Sequence, residues 1–164
     1  FDRLLRALAA PRTRSMAWTL CVLGEGDERA RLETLTASLG LDDRVFFVGA
    51  KRALPLYARA DLFVTTSLFE GMPLSLLEAM AAGRPVLASP IAAHREVLAG
   101  IDDALLPEDE AAWPDVIARL LADGARRDAI AASAERRAHT TYGAEAQDRA
   151  YADLYASLRR GGSP

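Results

Sequence analysis

Ser67-Leu68-Phe69-Glu70-Gly71-Met72-Pro73-Leu74-Ser75-Leu76-Leu77-Glu78-Ala79-Met80-Ala81-Ala82-Gly83-Arg84-Pro85 joins two short apolar runs, Leu62 to Thr66 and Pro85 to Ser89. Those runs read as buried strands and the stretch between them as a helix. Pro73 suits a first helical turn, which needs no amide hydrogen at that position, and Gly83 closes the helix after about Ala82. Strand, helix, strand is the crossover unit of a parallel sheet. The residues just before the helix therefore lie at the carboxyl end of a strand, where open parallel sheets bind ligands.

The chemistry of that junction is specific. Free backbone N–H groups around Met72 to Ser75 and the positive end of the helix dipole suit a phosphate or another electron-rich group, and Gly71 allows close approach of the backbone. Glu70 and Glu78 together can accept hydrogen bonds from several hydroxyls, which fits a sugar or a ribose better than an apolar ligand. Glu25 and Glu33 have the same spacing. On spacing alone, Glu70 and Glu78 fit ordinary helix-end and surface carboxylates equally well.

Working outward, Phe1 to Ala10 reads as an amphipathic helix, with Phe1, Leu4, Leu5 and Leu8 on one side. Ala17 to Leu23 reads as a strand entering the Gly24-Glu25-Gly26 turn, Asp27 to Leu39 as a helix stopped by Gly40, and Val45 to Gly49 as a second strand. Ala53 to Arg59 and His94 to Ala99 read as short helices, and Ala104 to Leu106 as a last edge strand. From Glu108 to Leu158 the pattern is helical, with breaks at Asp123-Gly124 and Thr140 to Gly143 that divide it into three helices. The class is α/β with a parallel sheet, followed by a helical C-terminal segment.

The chain has 164 residues and 17.7 kDa, room for one domain rather than a complete two-domain enzyme. Its net charge of −3 supplies no strong field for nucleic acid. The apolar stretches are only a few residues long, far short of the ~20 that cross a bilayer. Cys21, within Thr19 to Leu23, reads as a small buried hydrophobe, which fits a reducing, cytoplasmic setting. No His, Cys and Asp cluster has metal-ligand spacing. Trp18, Trp113, Tyr142, Tyr151 and Tyr155 read as packing residues, and His94 and His139 as structural histidines. Phe1, already inside a helical pattern, points to a start in mid-protein.

The Ser67 to Pro85 string closely resembles the signature of retaining glycosyltransferases of the GT-B fold, family 4, in which two glutamates flank seven residues before and within a donor-binding helix. Val22 to Arg29, Arg44 to Gly49 and Leu56 to Val64 are similar to the segments that precede the signature in that family. The resemblance implies a Rossmann-like three-layer domain, a parallel sheet with helices on both faces, formed by residues 1–160 as the nucleotide-sugar-binding half of the enzyme, with 161–164 as a tail. It implies that Glu70 lies at the transferred sugar as the catalytic carboxylate. Gly71, Met72, Pro73 and Leu74 would contact the donor's sugar and phosphates, Glu78 the ribose diol, and Gly24, Gly49, Ala50 and Lys51 the base. Lys51 and Arg52 also fit plain solvated loop charges.

The implied reaction moves a hexose from an NDP-sugar to a glycan or lipid-linked glycan acceptor held by an absent N-terminal domain, without metal or other cofactor. Peripheral contact with the inner face of the membrane is compatible with such acceptors. The family's first strand, with its Gly-Arg and Lys-Gly residues, is missing before Phe1, and Pro90 to Ala93 stand where many relatives have two glycines. In a sheet ordered 3-2-1-4-5-6 that loss leaves a gap between the Ala17–Leu23 and Leu62–Thr66 strands. Either those strands re-pair or the fragment folds poorly. Two other readings stay open: a non-catalytic nucleotide-binding or scaffold module of the same fold, and a GT-B nucleotide-sugar epimerase or phosphorylase.

Overall fold

The computed structural model describes residues 1–161. Leu4, Leu5, Ala7 and Leu8 recur at helical spacing, and all four are buried in helix α1, Asp2–Ala9. Each leucine so buried contributes about 1.5–3 kcal/mol. A short helix, α2 (Pro11–Arg14), follows and leads to strand β1, Leu20–Leu23. Helix α3 (Arg29–Ser38) returns the chain to strand β2, Val45–Gly49, and Gly40, at φ 64°, makes the left-handed turn between them. β1 and β2 are parallel, Leu20 opposite Val45 and Val22 opposite Phe47, with a register shift that sets Leu23 opposite Gly49.

The second half repeats the pattern. After α4 (Leu54–Tyr57), strand β3 (Phe63–Thr65), helix α5 (Leu74–Ala81) and strand β4 (Val86–Ala88) form the expected crossover. β3 and β4 pair in parallel, with Phe63 opposite Val86 and Thr65 opposite Ala88. Helix α6 occupies Ala92–Val97, two residues earlier than its pattern suggested. Beyond it come α7 (Trp113–Ala122), α8 (Gly124–Tyr142) and α9 (Ala144–Gly161), divided where expected. Asp123 caps α8 by accepting from the Arg126 amide at 2.9 Å.

Among the described residues the strands stand as two separate pairs, β1–β2 and β3–β4, so β1 and β3 are not hydrogen-bonded to each other. Side chains unite the halves instead. Leu4, Ala7 and Leu8 enter the larger core with Leu76, Met80, Leu87 and Trp113, while Leu5 enters the smaller one with Val22, Leu32, Leu41 and Val45. Trp18 and Leu20 pack against both. Helix α1 thus spans the two cores, and Arg3 on it donates to the Thr66 carbonyl at 2.8 Å and the Ser67 carbonyl at 3.3 Å.

Four expectations need correction. Cys21 is exposed rather than buried. It lies opposite Phe46, itself 48% exposed, because the strand alternates and only the Val22 and Val45 face meets α1 and α3. Tyr151 and Tyr155 are also exposed, in a stripe with Leu154 and Leu158, since α9 packs chiefly along α8 and leaves this face outward. Ala104 to Leu106 is a single parallel bridge between Leu105 and Ala88, because Asp102–Ala104 tightens into a 3-10 turn that leaves too few extended residues for a ladder. The tail reading is cut short at its first residue: α9 runs through Gly161, and 162–164 lie outside the described residues.

Candidate functional site

Thr65 ends β3, and the next residues turn outward over the carboxyl end of the β3–β4 pair. Ser67 Oγ donates to Glu70 Oε1 at 2.7 Å, which closes the turn and holds the half-buried carboxylate beside the start of α5. The intervening Leu68 and Phe69 are 78% and 86% exposed, so an apolar rim adjoins the acid. Pro73 is buried and precedes the first residue of α5. Of the amides expected to be free, Leu74 N–H is taken by the Met72 carbonyl at 2.9 Å, and proline has none. Those of Met72 and Ser75 donate to no other group among the described residues.

Glu78 is exposed on the second turn of α5. Tyr57 reaches it from α4, its hydroxyl 3.4 Å from Glu78 Oε2 and 3.4 Å from the Ser75 carbonyl. Burial pushes the Tyr57 phenol up from its usual range, and the Glu78 charge adds to the effect. Glu70 and Glu78 therefore flank the start of one helix, each in contact with a hydroxyl.

A second feature lies at the carboxyl end of β2. A cleft of about 340 Å³ is lined by Glu25, Arg29, Phe47, Val48, Gly49, Ala50 and Lys51, and Gly24 borders it through its N–H bond to the Gly49 carbonyl at 3.0 Å. Gly24, Gly49, Ala50 and Lys51 are thus brought together. Glu25 and Glu33, a pair by spacing only, prove to share Arg29, at 2.7 and 2.9 Å. Arg29 also donates to the Phe47 carbonyl at 3.2 Å, so the wall of the cleft is an ion-pair network.

The family model for glycosyl transferases group 1 matches residues 1–123. The chain belongs to that family. It is 35% identical over 136 residues to the lipopolysaccharide core biosynthesis mannosyltransferase LpsB of Rhizobium meliloti, covering 80% of this chain and 39% of that protein. It is 38% identical over 153 residues to the D-inositol 3-phosphate glycosyltransferase of Salinispora tropica, covering 84% of this chain and 31% of that protein. The chain thus spans less than half the length of these curated relatives.

Among solved structures, sucrose-phosphate synthase from Thermosynechococcus elongatus superposes with a TM-score of 0.82 at 28% identity, over 98% of this chain and 42% of that one. Anabaena HepE in complex with UDP gives 0.80 at 25% identity, over 94% of this chain and 44% of that one. The group 1 chain accordingly has the parallel α/β architecture of GT-B glycosyltransferases, with its helical segment at the C-terminus.

Neither Tyr57 nor Ser67 stands out in the group 1 sequence as a site residue. Tyr57 falls in a helix of only four residues, and Ser67 is marked only by standing three residues before a glutamate after a strand. Among the described residues no three His, Cys, Asp or Glu side chains cluster closely enough to hold a metal ion, and no helix is long and apolar enough to cross a membrane.

Proposed function

We propose that this chain is the donor-binding half of a retaining, family 4 glycosyltransferase that transfers a hexosyl group from an NDP-sugar to a glycan or lipid-linked glycan. The observation that carries the reading is the pair Glu70 and Glu78 flanking the start of α5 at the carboxyl end of β3, with hydroxyl partners Ser67 and Tyr57. In this reading Glu70 meets the hydroxyls of the transferred sugar, and the Gly71 to Leu74 turn faces the sugar and phosphates. The amides of Met72 and Ser75 and the helix dipole stabilise the departing diphosphate.

Glu78 accepts the two ribose hydroxyls, and the Gly24, Gly49, Ala50 and Lys51 cleft takes the base. No metal or other cofactor enters. The solved complexes of HepE with UDP and with UDP-glucose support a nucleotide-sugar donor, and LpsB supports a glycan acceptor. The acceptor belongs to a second domain facing these strand ends, and the enzyme works in the cytoplasm, in peripheral contact with the membrane where its acceptor is lipid-linked.

Thermal unfolding in the presence of UDP, GDP and ADP in turn, beside Glu78→Gln, tests the reading. A nucleotide at 100 times its dissociation constant adds about 2.7 kcal/mol. One nucleotide should raise Tm, and Glu78→Gln should lose that rise without losing the cooperative transition. A stable fold that answers to no nucleotide contradicts donor binding and favours the scaffold module.

A further inference from the structure

His94, near the start of α6, is fully buried, yet its two ring nitrogens are treated unequally. Nδ1 lies 2.8 Å from the Ser89 carbonyl oxygen and 3.2 Å from Ser89 Oγ, whereas Nε2 is buried and has no hydrogen-bond partner among the described residues. Both contacts at Nδ1 are to oxygen. The carbonyl can only accept, so Nδ1 carries the hydrogen.

Ser89, also fully buried, donates its one hydroxyl hydrogen to the Ser67 carbonyl at 2.6 Å. Its Oγ lone pair is therefore turned toward His94, and the direction of the whole chain of bonds follows. His94 shares its one Nδ1 hydrogen between the Ser89 carbonyl, the nearer acceptor, and Ser89 Oγ; Ser89 Oγ gives to the Ser67 carbonyl, and the Ser67 hydroxyl to Glu70 Oε1. The Ser67 peptide is thereby gripped from the β4 side by Ser89 and from the α1 side by Arg3. Leucine or phenylalanine would fill the place of His94 without leaving an orphaned nitrogen, so packing alone does not account for a histidine there.

We propose that His94 and Ser89 are positioning residues for Glu70, acting through Ser67. This rests on the reading of Glu70 as the carboxylate at the donor's sugar. Without the His94 hydrogen, both the Ser89 carbonyl and Ser89 Oγ lose their donor, so the residue whose hydroxyl supports the Ser67 carbonyl is held less firmly and the turn that aims Glu70 loses its inner support. Glu78 stands outside this relay, since its partner is Tyr57 on another helix. The relay should therefore govern recognition of the sugar and leave recognition of the nucleotide untouched.

The test is titration calorimetry on the natural full-length protein with UDP and UDP-glucose, GDP and GDP-mannose, and ADP and ADP-glucose. Ser89→Ala and His94→Leu should cut the extra affinity conferred by the sugar about tenfold, the loss of one charge-assisted hydrogen bond, while free-diphosphate affinity stays within about twofold. His94→Asn puts an N–H on the same carbon that bears Nδ1 and should restore the increment, as should Ser89→Thr. Full retention of the increment in Ser89→Ala, with loss in Glu70→Gln, overturns the relay and leaves the donor reading standing. His94→Asn behaving no better than a folded His94→Leu also overturns it, because the role would then be packing. If His94→Leu shows no cooperative unfolding, Ser89→Ala against Ser89→Thr decides. A wild type that binds none of the six ligands overturns donor binding and the relay together.

Discussion

The Tyr57 hydroxyl stands 3.4 Å from Oε2 of Glu78, linking α4 to α5 across one wall of the candidate site. The contact is long, so Tyr57→Phe should cost less than about 1 kcal/mol at neutral pH. Its signature lies at alkaline pH. The phenol is pushed up by burial and by the Glu78 charge, so the native state keeps a proton that the unfolded chain releases near the ordinary value of 10.0. Stability is then fully present below that value and falls as pH rises through the higher folded value. Denaturant titrations from neutral to strongly alkaline pH should show a shallower alkaline decline in Tyr57→Phe. An identical slope in both proteins would mean that Tyr57 titrates as it does in the unfolded chain.

Gly49 ends β2 with φ 73°, and a Cβ there would lie 2.6 Å from Glu25 Oε1. Gly49→Ala therefore meets both a left-handed backbone and a carboxylate held by Arg29 at 2.7 Å. The backbone term alone costs about 1–2 kcal/mol, and displacing Glu25 opens the wall of the 340 Å³ cleft. The denaturation midpoint should fall with an unchanged m-value, and nucleotide affinity should fall with it. A loss of stability with affinity intact would separate the cleft from the base.

Much of this was legible because punctuation and hydrophobic runs agree. Pro73 and Gly83 bracket α5, Gly40 separates α3 from β2, and the Glu70 to Glu78 string marks the carboxyl end of β3. The faces of short strands were not legible. In a four-residue strand such as β1, alternation separates Cys21 from Val22 but does not say which of them meets a helix. Nor were the partners of the two glutamates. Tyr57 and Glu78, or Ser89 and Ser67, are 21 and 22 residues apart, and only the crossover geometry brings them together. Tyr151 and Tyr155 misled for a related reason: a regular apolar stripe marks a face that can pack, and α9 leaves that face open.

Thr13 is fully buried, and its hydroxyl lies 2.6 Å from the Ala7 carbonyl, 3.1 Å from that of Leu8 and 3.0 Å from that of Ala10. The Ala7 and Leu8 carbonyls lie in the last turn of α1, where the helix supplies no amide partners of its own, whereas the Ala10 carbonyl already accepts from the Thr13 and Arg14 amides. Thr13→Val keeps the shape and removes the donor, and should cost about 1–3 kcal/mol for the acceptors left unpaired. Thr13→Ser keeps the donor and loses one methyl, for about 0.8 kcal/mol. Urea denaturation should therefore rank wild type above Ser above Val. Because α1 spans both cores and its Arg3 holds the Thr66 and Ser67 carbonyls, loosening its end should reach the site. Amide exchange from Ser67 to Gly71 should quicken in Thr13→Val by more than exchange in α8, where stability is set by other contacts. Equal acceleration in both would mean that the protein opens as one unit and that α1 gives the Glu70 turn no local support.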